Sequence, residues 1–402
     1  MILKETLREI VISQRNDLLS SDNGIERGEL RNINLNIPYA TILSGIRRSG
    51  KSTLLHQVID KMPVFYYLNF EDIRLIDFEA SDFEKLDNVF HEEYGNSEDY
   101  FFDEIQNVDR WEIFVRSRLD KKKHFLITGS NASMLSREPG SRLTGRHLDI
   151  ELFPFSYYEF LLLEGKKASP QTFYEYLYSG GFPEYLKFKR DLILRELLMD
   201  ILQRDIILRY KIRESKILID MAIYLLTNTG MEFSYHKIKT IFNLGSINTV
   251  ISFISYLEDA YLFFTVPRFY YSIKRQLINA KKIYSIDNGL AAANSVLFSN
   301  DRGIVLENAV FLFLRRKYRE IYYFKEKHEC DFVIKDKNSI IMALQVTYLL
   351  NDDNKEREID GLLEAMSELS LNEGYIITYN EEDELNIENK KISIVPAWKW
   401  MS

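Results

Sequence analysis

Cysteine occurs once in the 402-residue chain, at Cys330, so no internal disulfide can staple the fold. The six histidines are dispersed, and no Cys or His cluster suggests a zinc site or a thiol nucleophile. Long apolar runs are also missing: the longest, such as AVFLFL at 309–314, fall far short of the roughly 18 residues that span a bilayer. The opening MILKETLREI mixes charges where a signal peptide needs an uninterrupted apolar stretch. A cytoplasmic protein with no membrane partner is expected. Basic charge is not in excess either: 52 Lys and Arg against 60 Asp and Glu leave −8, with no overall pull toward nucleic acid. Any such contact requires a local patch. The eight prolines are scattered and no repeat of fixed period is present, so boundaries must be sought in changes of pattern.

What is present is a composition that folds, with 46% hydrophobic and 13% aromatic residues, at a length that implies about two to four domains. The first 30 residues read as helical and polar. YATILSG (39–45), VFYYLNF (64–70), DYFFDE (99–104) and HFLITGS (124–130) are short apolar runs separated by helix-like stretches. That alternation is the signature of a buried parallel sheet with crossover helices, hence an α/β fold. From about Pro154 to Lys216 long amphipathic helices take over, with Leu and Ile every three or four residues. Strand character returns near 261–285, and a second small α/β unit begins near Asp287.

Gly45, Gly50, Lys51 and Ser52 fit G-x-x-x-x-G-K-[ST], between an apolar strand and the helix pattern KSTLLHQVIDKM. A surface turn is the plain alternative. In the phosphate-loop reading, backbone N–H groups and a helix N-terminus converge on an anion, so Ile46, Arg47, Arg48, Ser49 and Thr53 belong to the binding stretch with the motif residues. Lys51 neutralises β- and γ-phosphate charge, and Ser52 offers a hydroxyl to Mg²⁺. Hydrolysis also needs a carboxylate for the metal and a group to orient water. YFFDEIQNV supplies them: its strand ends in Asp103, placed for Mg²⁺, and Glu104, placed to activate water. The next strand ends in Thr128, Ser130 and Asn131; Ser130 or Asn131 is the favoured γ-phosphate sensor, against a strand that merely ends in a turn. Arg142 and Arg146 follow in a Gly-flanked loop. Arg146 is the chosen catalytic guanidinium, acting within its own chain or on a neighbour, and a structural ion pair is the alternative.

In order along the chain, GIRRSGKSTLL, YYLNFEDIRL, YFFDEIQNVDRWE, LITGSNASML, LTGRHLDIELFPFSYYEFL and SGGFPEYL resemble the prokaryotic AAA-type P-loop ATPases that carry a C-terminal domain of uncharacterised function. The resemblance covers nearly the whole chain. It implies an ATP-binding AAA-type core over 1–153, a helical lid over 154–214, a winged-helix segment over 215–285 and a restriction-endonuclease-like α/β domain over 286–402. ATP and Mg²⁺ are the implied ligands. The helix, helix, turn, helix and strand order over 217–266 suits a winged helix, although Ser246, Asn248 and Thr249 after the turn are mild for a groove reader. VPRFYYSIKRQLINAKK adds Arg268, Lys274, Arg275, Lys281 and Lys282 with three adjacent aromatics. Residues 246–282 are therefore the candidate DNA contact, with a solvated wing over buried tyrosines as the alternative.

The last segment resembles an endonuclease core, with Glu307 on a helix and Asp331 opening a strand. An active nuclease of that type needs a further acid and a lysine on the next strand, where LQVTY places Gln345 and Thr347 instead. Glu329 is read as pointing to the opposite face from Asp331, with Cys330 on its side, so it does not replace the missing ligand. An inactive remnant is expected. The functional expectation is an ATPase that couples nucleotide state to a DNA or protein partner, in a chain compatible with oligomers. The rivals are a nucleotide-gated adaptor with negligible turnover and a Mg²⁺-dependent nuclease.

Overall fold

The computed structural model describes residues 2–130, 143, 145–295 and 301–402. The chain divides into two compact units, Met1–Leu152 and Phe153–Ser402. In the first, β1 (Ala40–Ser44), β2 (Tyr66–Asn69), β3 (Asp99–Asp103), β4 (His124–Gly129) and β5 (His147–Glu151) form one sheet in the order β2-β3-β4-β1-β5. Every pairing is parallel. Parallel strands need crossovers, and α1 (Lys4–Ser20), α2 (Lys51–Ile59), α3 (Phe83–Tyr94) and α4 (Trp111–Leu119) cover the sheet. All five residues of β1 are buried, which is why ATILS reads as an unbroken apolar run. Aromatic side chains fill one face of the sheet: Tyr66, Phe70, Phe83, Phe90, Tyr100, Phe102, Phe114 and Phe125 belong to a single core. The P-loop AAA-type α/β architecture expected from the sequence is therefore present, and its sheet continues to β5.

The second unit opens with α5 (Tyr157–Glu164), α6 (Pro170–Ser179), α7 (Pro183–Phe188) and α8 (Asp191–Asp200), the last continuing as a π-helix over Ile201–Leu208. The caps follow local chemistry: Ser156 and Ser169 each accept from the third helical N–H, and Pro170 and Pro183 stand at helix starts. Then come α9 (Ser215–Thr227), β6 (Glu232–Phe233), α10 (Tyr235–Ile241), α11 (Ile247–Asp259), β7 (Phe263–Pro267), α12 (Ile273–Ile278) and β8 (Lys281–Ser285). The three strands form an antiparallel sheet in the order β6-β8-β7.

After α13 (Asn288–Asn294) and α14 (Arg302–Lys317), a mixed six-stranded sheet is built from β9 (Glu320–Lys325), β10 (Glu329–Asp336), β11 (Ser339–Val346), β12 (Glu373–Thr378), β13 (Asp383–Ile387) and β14 (Lys390–Pro396). Its order is β13-β14-β12-β11-β10-β9, antiparallel at both edges and parallel through β11, β12 and β14. Helix α15 (Lys355–Glu368) packs on it closely enough that a Cβ on Gly361 would stand 2.1 Å from the Glu329 carbonyl oxygen. Among the described residues, no helix is long and apolar enough to cross a membrane.

The SGGFPEYL stretch closes a buried junction. Asp287 accepts from Gly181 N at 2.6 Å and from Leu290 N at 2.8 Å, and a Cβ on Gly180 would sit 2.2 Å from its Oδ1. Only glycine fits there.

Candidate functional site

The loop after β1 folds as its glycines allow. Gly45 has φ +149° and its missing Cβ would stand 2.2 Å from the Leu152 carbonyl oxygen; Gly50, at φ +96°, caps α2 in the left-handed region. Between them Ile46 and Ser49 are buried, Arg47 pairs with Glu71 at 3.2 Å, and Arg48 is exposed at φ 62°. Lys51 opens α2 and is 4% exposed; its ammonium donates to the carbonyl oxygens of Gly45 and Ile46, both at 3.1 Å. Thr53 is partly buried in the first turn of the helix, against Gly24.

Parallel strands bring the second half of the site to the same edge of the sheet. Asp103 ends β3, one strand beyond β4 from β1, and is 1% exposed. Ser52 and Thr128 both hydrogen-bond its carboxylate, and Lys51 is near enough to act on it electrostatically. Burial still dominates and raises the Asp103 pKa against those three stabilising influences. Glu104 is likewise raised, first by burial; Lys51 opposes the shift and Asp103 adds to it. Its backbone sits at φ 52°, an uncommon place for a non-glycine residue, held by Glu104 N donating to Thr128 Oγ1 at 3.0 Å and by the Gln106 amide on its carboxylate. Thus Gly45, Gly50, Lys51, Ser52, Asp103 and Glu104 converge.

Two side chains overlooked in the sequence complete the site. Thr128, passed over in favour of its neighbours, bridges Asp103 and the Glu104 backbone; Ser130 is buried and meets the Gln106 amide at 3.5 Å. Arg27 is 1% exposed and donates from Nη1 to the Ser49 carbonyl oxygen at 2.6 Å. Gln57 on α2 pins its segment, donating to Asn23 O and Ile25 O at 2.8 and 2.6 Å and accepting from Arg27 N at 3.2 Å. Nothing in the local pattern around Arg27 marks this role, because Ser49 and Gln57 lie 22 and 30 residues away.

Arg146 requires a correction. Its carbonyl accepts from Ala40 N, at the start of β1, whereas the phosphate loop follows the end of that strand. The guanidinium is half-exposed and pairs with Asp120, just past α4. Four strand residues, about 13 Å, separate the two ends, so Arg146 does not reach the loop of its own chain in this arrangement. Asn131 and Arg142 lie outside the described residues.

In the second unit, Lys282 of β8 is 4% exposed and places its ammonium 3.1 Å from Glu307, 2.9 Å from Glu329 and 3.0 Å from Asp331. Glu329 and Asp331 therefore share a face, contrary to the expectation, because side chains two apart on a strand point the same way; Cys330 points oppositely, into the core. Gln345 is used structurally, accepting from Asp331 N at 3.1 Å and donating to Glu358. In the basic segment Phe269 and Tyr270 are buried, and Arg275 lies 4.1 Å over the Tyr270 ring. Only Tyr271 of the three aromatics is open, at 84% exposure.

The family described as "AAA domain" matches residues 38–161, and a "Domain of unknown function (DUF8612)" matches residues 170–301. The "Uncharacterized protein MJ1544" of Methanocaldococcus jannaschii is 37% identical over 89% of this chain and 87% of its own length. An "Uncharacterized protein" of Haemophilus influenzae is 28% identical over 90% of this chain and 94% of its own. The solved structure of the replication initiator DnaA bound to AMPPCP and single-stranded DNA aligns over 63% of this chain and 91% of its own, at 15% identity and a TM-score of 0.30, too loosely to bear on chemistry.

Proposed function

We propose, for a chain that belongs to the same family as the MJ1544 protein of Methanocaldococcus jannaschii and carries an AAA domain, that the first unit binds Mg²⁺-ATP and hydrolyses it. The observation that carries this reading is the meeting of Lys51, Ser52 and Asp103 at one edge of the sheet, with Ser52 hydrogen-bonded to Asp103. The fit to the ligands is supported by Ser49 Oγ and Gln106 Oε1, both buried without a hydrogen-bond partner. Ser52 and Asp103 would hold Mg²⁺, which neutralises phosphate charge when bound.

Each step is then taken by residues of this chain. Lys51 exchanges the Gly45 and Ile46 carbonyls for phosphate oxygens, and loop amides over 45–53 orient the triphosphate. Glu104, with its pKa raised, accepts a proton from the attacking water, while Gln106 and Thr128 hold its carboxylate and backbone. Ser130, 3.5 Å from the Gln106 amide, is the proposed γ-phosphate sensor.

In the second unit we assign 154–214 to a helical lid, 215–285 to a winged-helix segment and 286–402 to an endonuclease-like remnant. Nucleotide state there controls a DNA or protein partner. Nucleic-acid binding through Lys274 and Arg275 requires affinity that falls with salt and with removal of either charge.

Phosphate release from the intact protein and from Glu104→Gln tests the first unit. We expect the variant to keep ATP affinity and to lose about 100-fold or more of turnover. Equal, negligible release from both would leave only a nucleotide-gated adaptor.

A further inference from the structure

The endonuclease resemblance implies a divalent metal between Glu307 and Asp331, and the residues present do not fit one. The open cavity beside β10 is lined by Glu307, Glu329, Asp331, Gln345 and Glu358, yet its acids are already committed. Lys282 contacts three of them at 2.9–3.1 Å. Lys325 adds a second ammonium 2.9 Å from Glu329, and Tyr284 donates to Glu307 at 2.7 Å. Glu358 is held by Arg357 and Gln345, and Asp331 Oδ2 accepts from Val346 N at 3.0 Å. A cation arriving here meets carboxylates already held at contact distance by Lys282, Lys325 and Arg357, in a buried setting where Coulomb terms are large. It would have to expel an ammonium that is itself nearly inaccessible to water.

Lys282 also comes from elsewhere in the fold. It sits on β8, paired with β6 and β7 in the three-stranded sheet, whereas Glu329 and Asp331 belong to β10 of the six-stranded sheet. We infer that Lys282 is the resident cation of this pocket, standing where a divalent metal would be required, so that the acids fasten the three-stranded sheet to the six-stranded one and do not hydrolyse phosphodiesters. A buried charge left without its partner is strongly destabilising, which makes such a contact a selective fastening even where it contributes little net stability.

Mn²⁺ binding to the nucleotide-free full chain, followed by electron paramagnetic resonance, tests this directly. Wild type and Asp331→Asn are expected to bind Mn²⁺ alike. Lys282→Met is expected to melt about 5 to 10 °C lower, to acquire a Mn²⁺ site that restores part of the loss, and to lose that site when Asp331→Asn is added. Wild-type Mn²⁺ binding that Asp331→Asn removes overturns the inference, as does Mn²⁺-dependent DNA cleavage by wild type that Lys282→Met abolishes, because the lysine would then be catalytic. A Lys282→Met protein that folds and gains no Mn²⁺ site also overturns it. Should that variant not fold, the comparison of wild type with Asp331→Asn decides alone.

Discussion

Arg27 donates from Nη1 to the Ser49 carbonyl oxygen at 2.6 Å, so a guanidinium that is 1% exposed braces the phosphate loop from behind. The same nitrogen would lie 3.1 Å from a Cβ on Gly50, which places it under the turn that leads to Lys51. Bracing of this kind orients the backbone amides before any nucleotide arrives, and preorganised donors are worth more than mobile ones.

Arg27→Met should remove that brace while keeping much of the buried volume. A buried carbonyl losing a charged donor costs about 2 to 4 kcal/mol in urea unfolding. ATP affinity by calorimetry should fall about tenfold, with part of it regained in Arg27→Lys. Unchanged affinity would show that the loop holds its shape without the brace.

Thr128→Val should act through the metal. Its hydroxyl hydrogen-bonds Asp103 and accepts from the Glu104 backbone, so the variant loses a donor that favours the ionised carboxylate. Half-maximal phosphate release should need about tenfold more Mg²⁺, with ATP affinity in the absence of metal little altered.

Arg146→Ala should leave turnover within about twofold of wild type, because the exposed pair with Asp120 sits at the far end of β1 and contributes little. A loss of 100-fold in the ATPase assay would instead mean that Arg146 reaches the site of a neighbouring chain.

Asp287 has a pKa pushed up to about 6, first by burial, against donation from Gly181, Leu290 and Gly289. Its unfolded value is near 3.8, so the folded state holds the proton more tightly. The resulting stability is full below pH 3.8 and is lost as pH rises through 6. Between pH 4.5 and 6.5 this one group should cost wild type about 2 kcal/mol that Asp287→Asn does not lose, read as a narrowing gap between their urea midpoints.

Much of the first unit was legible from local pattern. The four apolar runs are strands because parallel strands are buried on both faces and cannot alternate. Gly45, Gly50, Lys51 and Ser52 declare a loop whose conformation depends on those residues. Asp103 and Glu104 are readable because a strand end is where such sheets present ligands. A Gly-flanked loop says nothing about which end of the sheet Arg146 reaches. The face shared by Glu329 and Asp331 was in principle available from the two-residue period of a strand.

The sequence by itself determined the parallel α/β core and the standing of Gly45, Gly50, Lys51 and Ser52 after β1 and of Asp103 and Glu104 at the end of β3 and just past it, because each depends on side chains near in the chain or on a period the backbone imposes. Tertiary structure alone decided that Arg27 braces the loop, that Thr128 joins the two acids, and that Lys282 stands among Glu307, Glu329 and Asp331. Those contacts span 22 to 49 residues of chain, and only packing of sheet against helix and sheet against sheet selects one partner among the many that composition would allow.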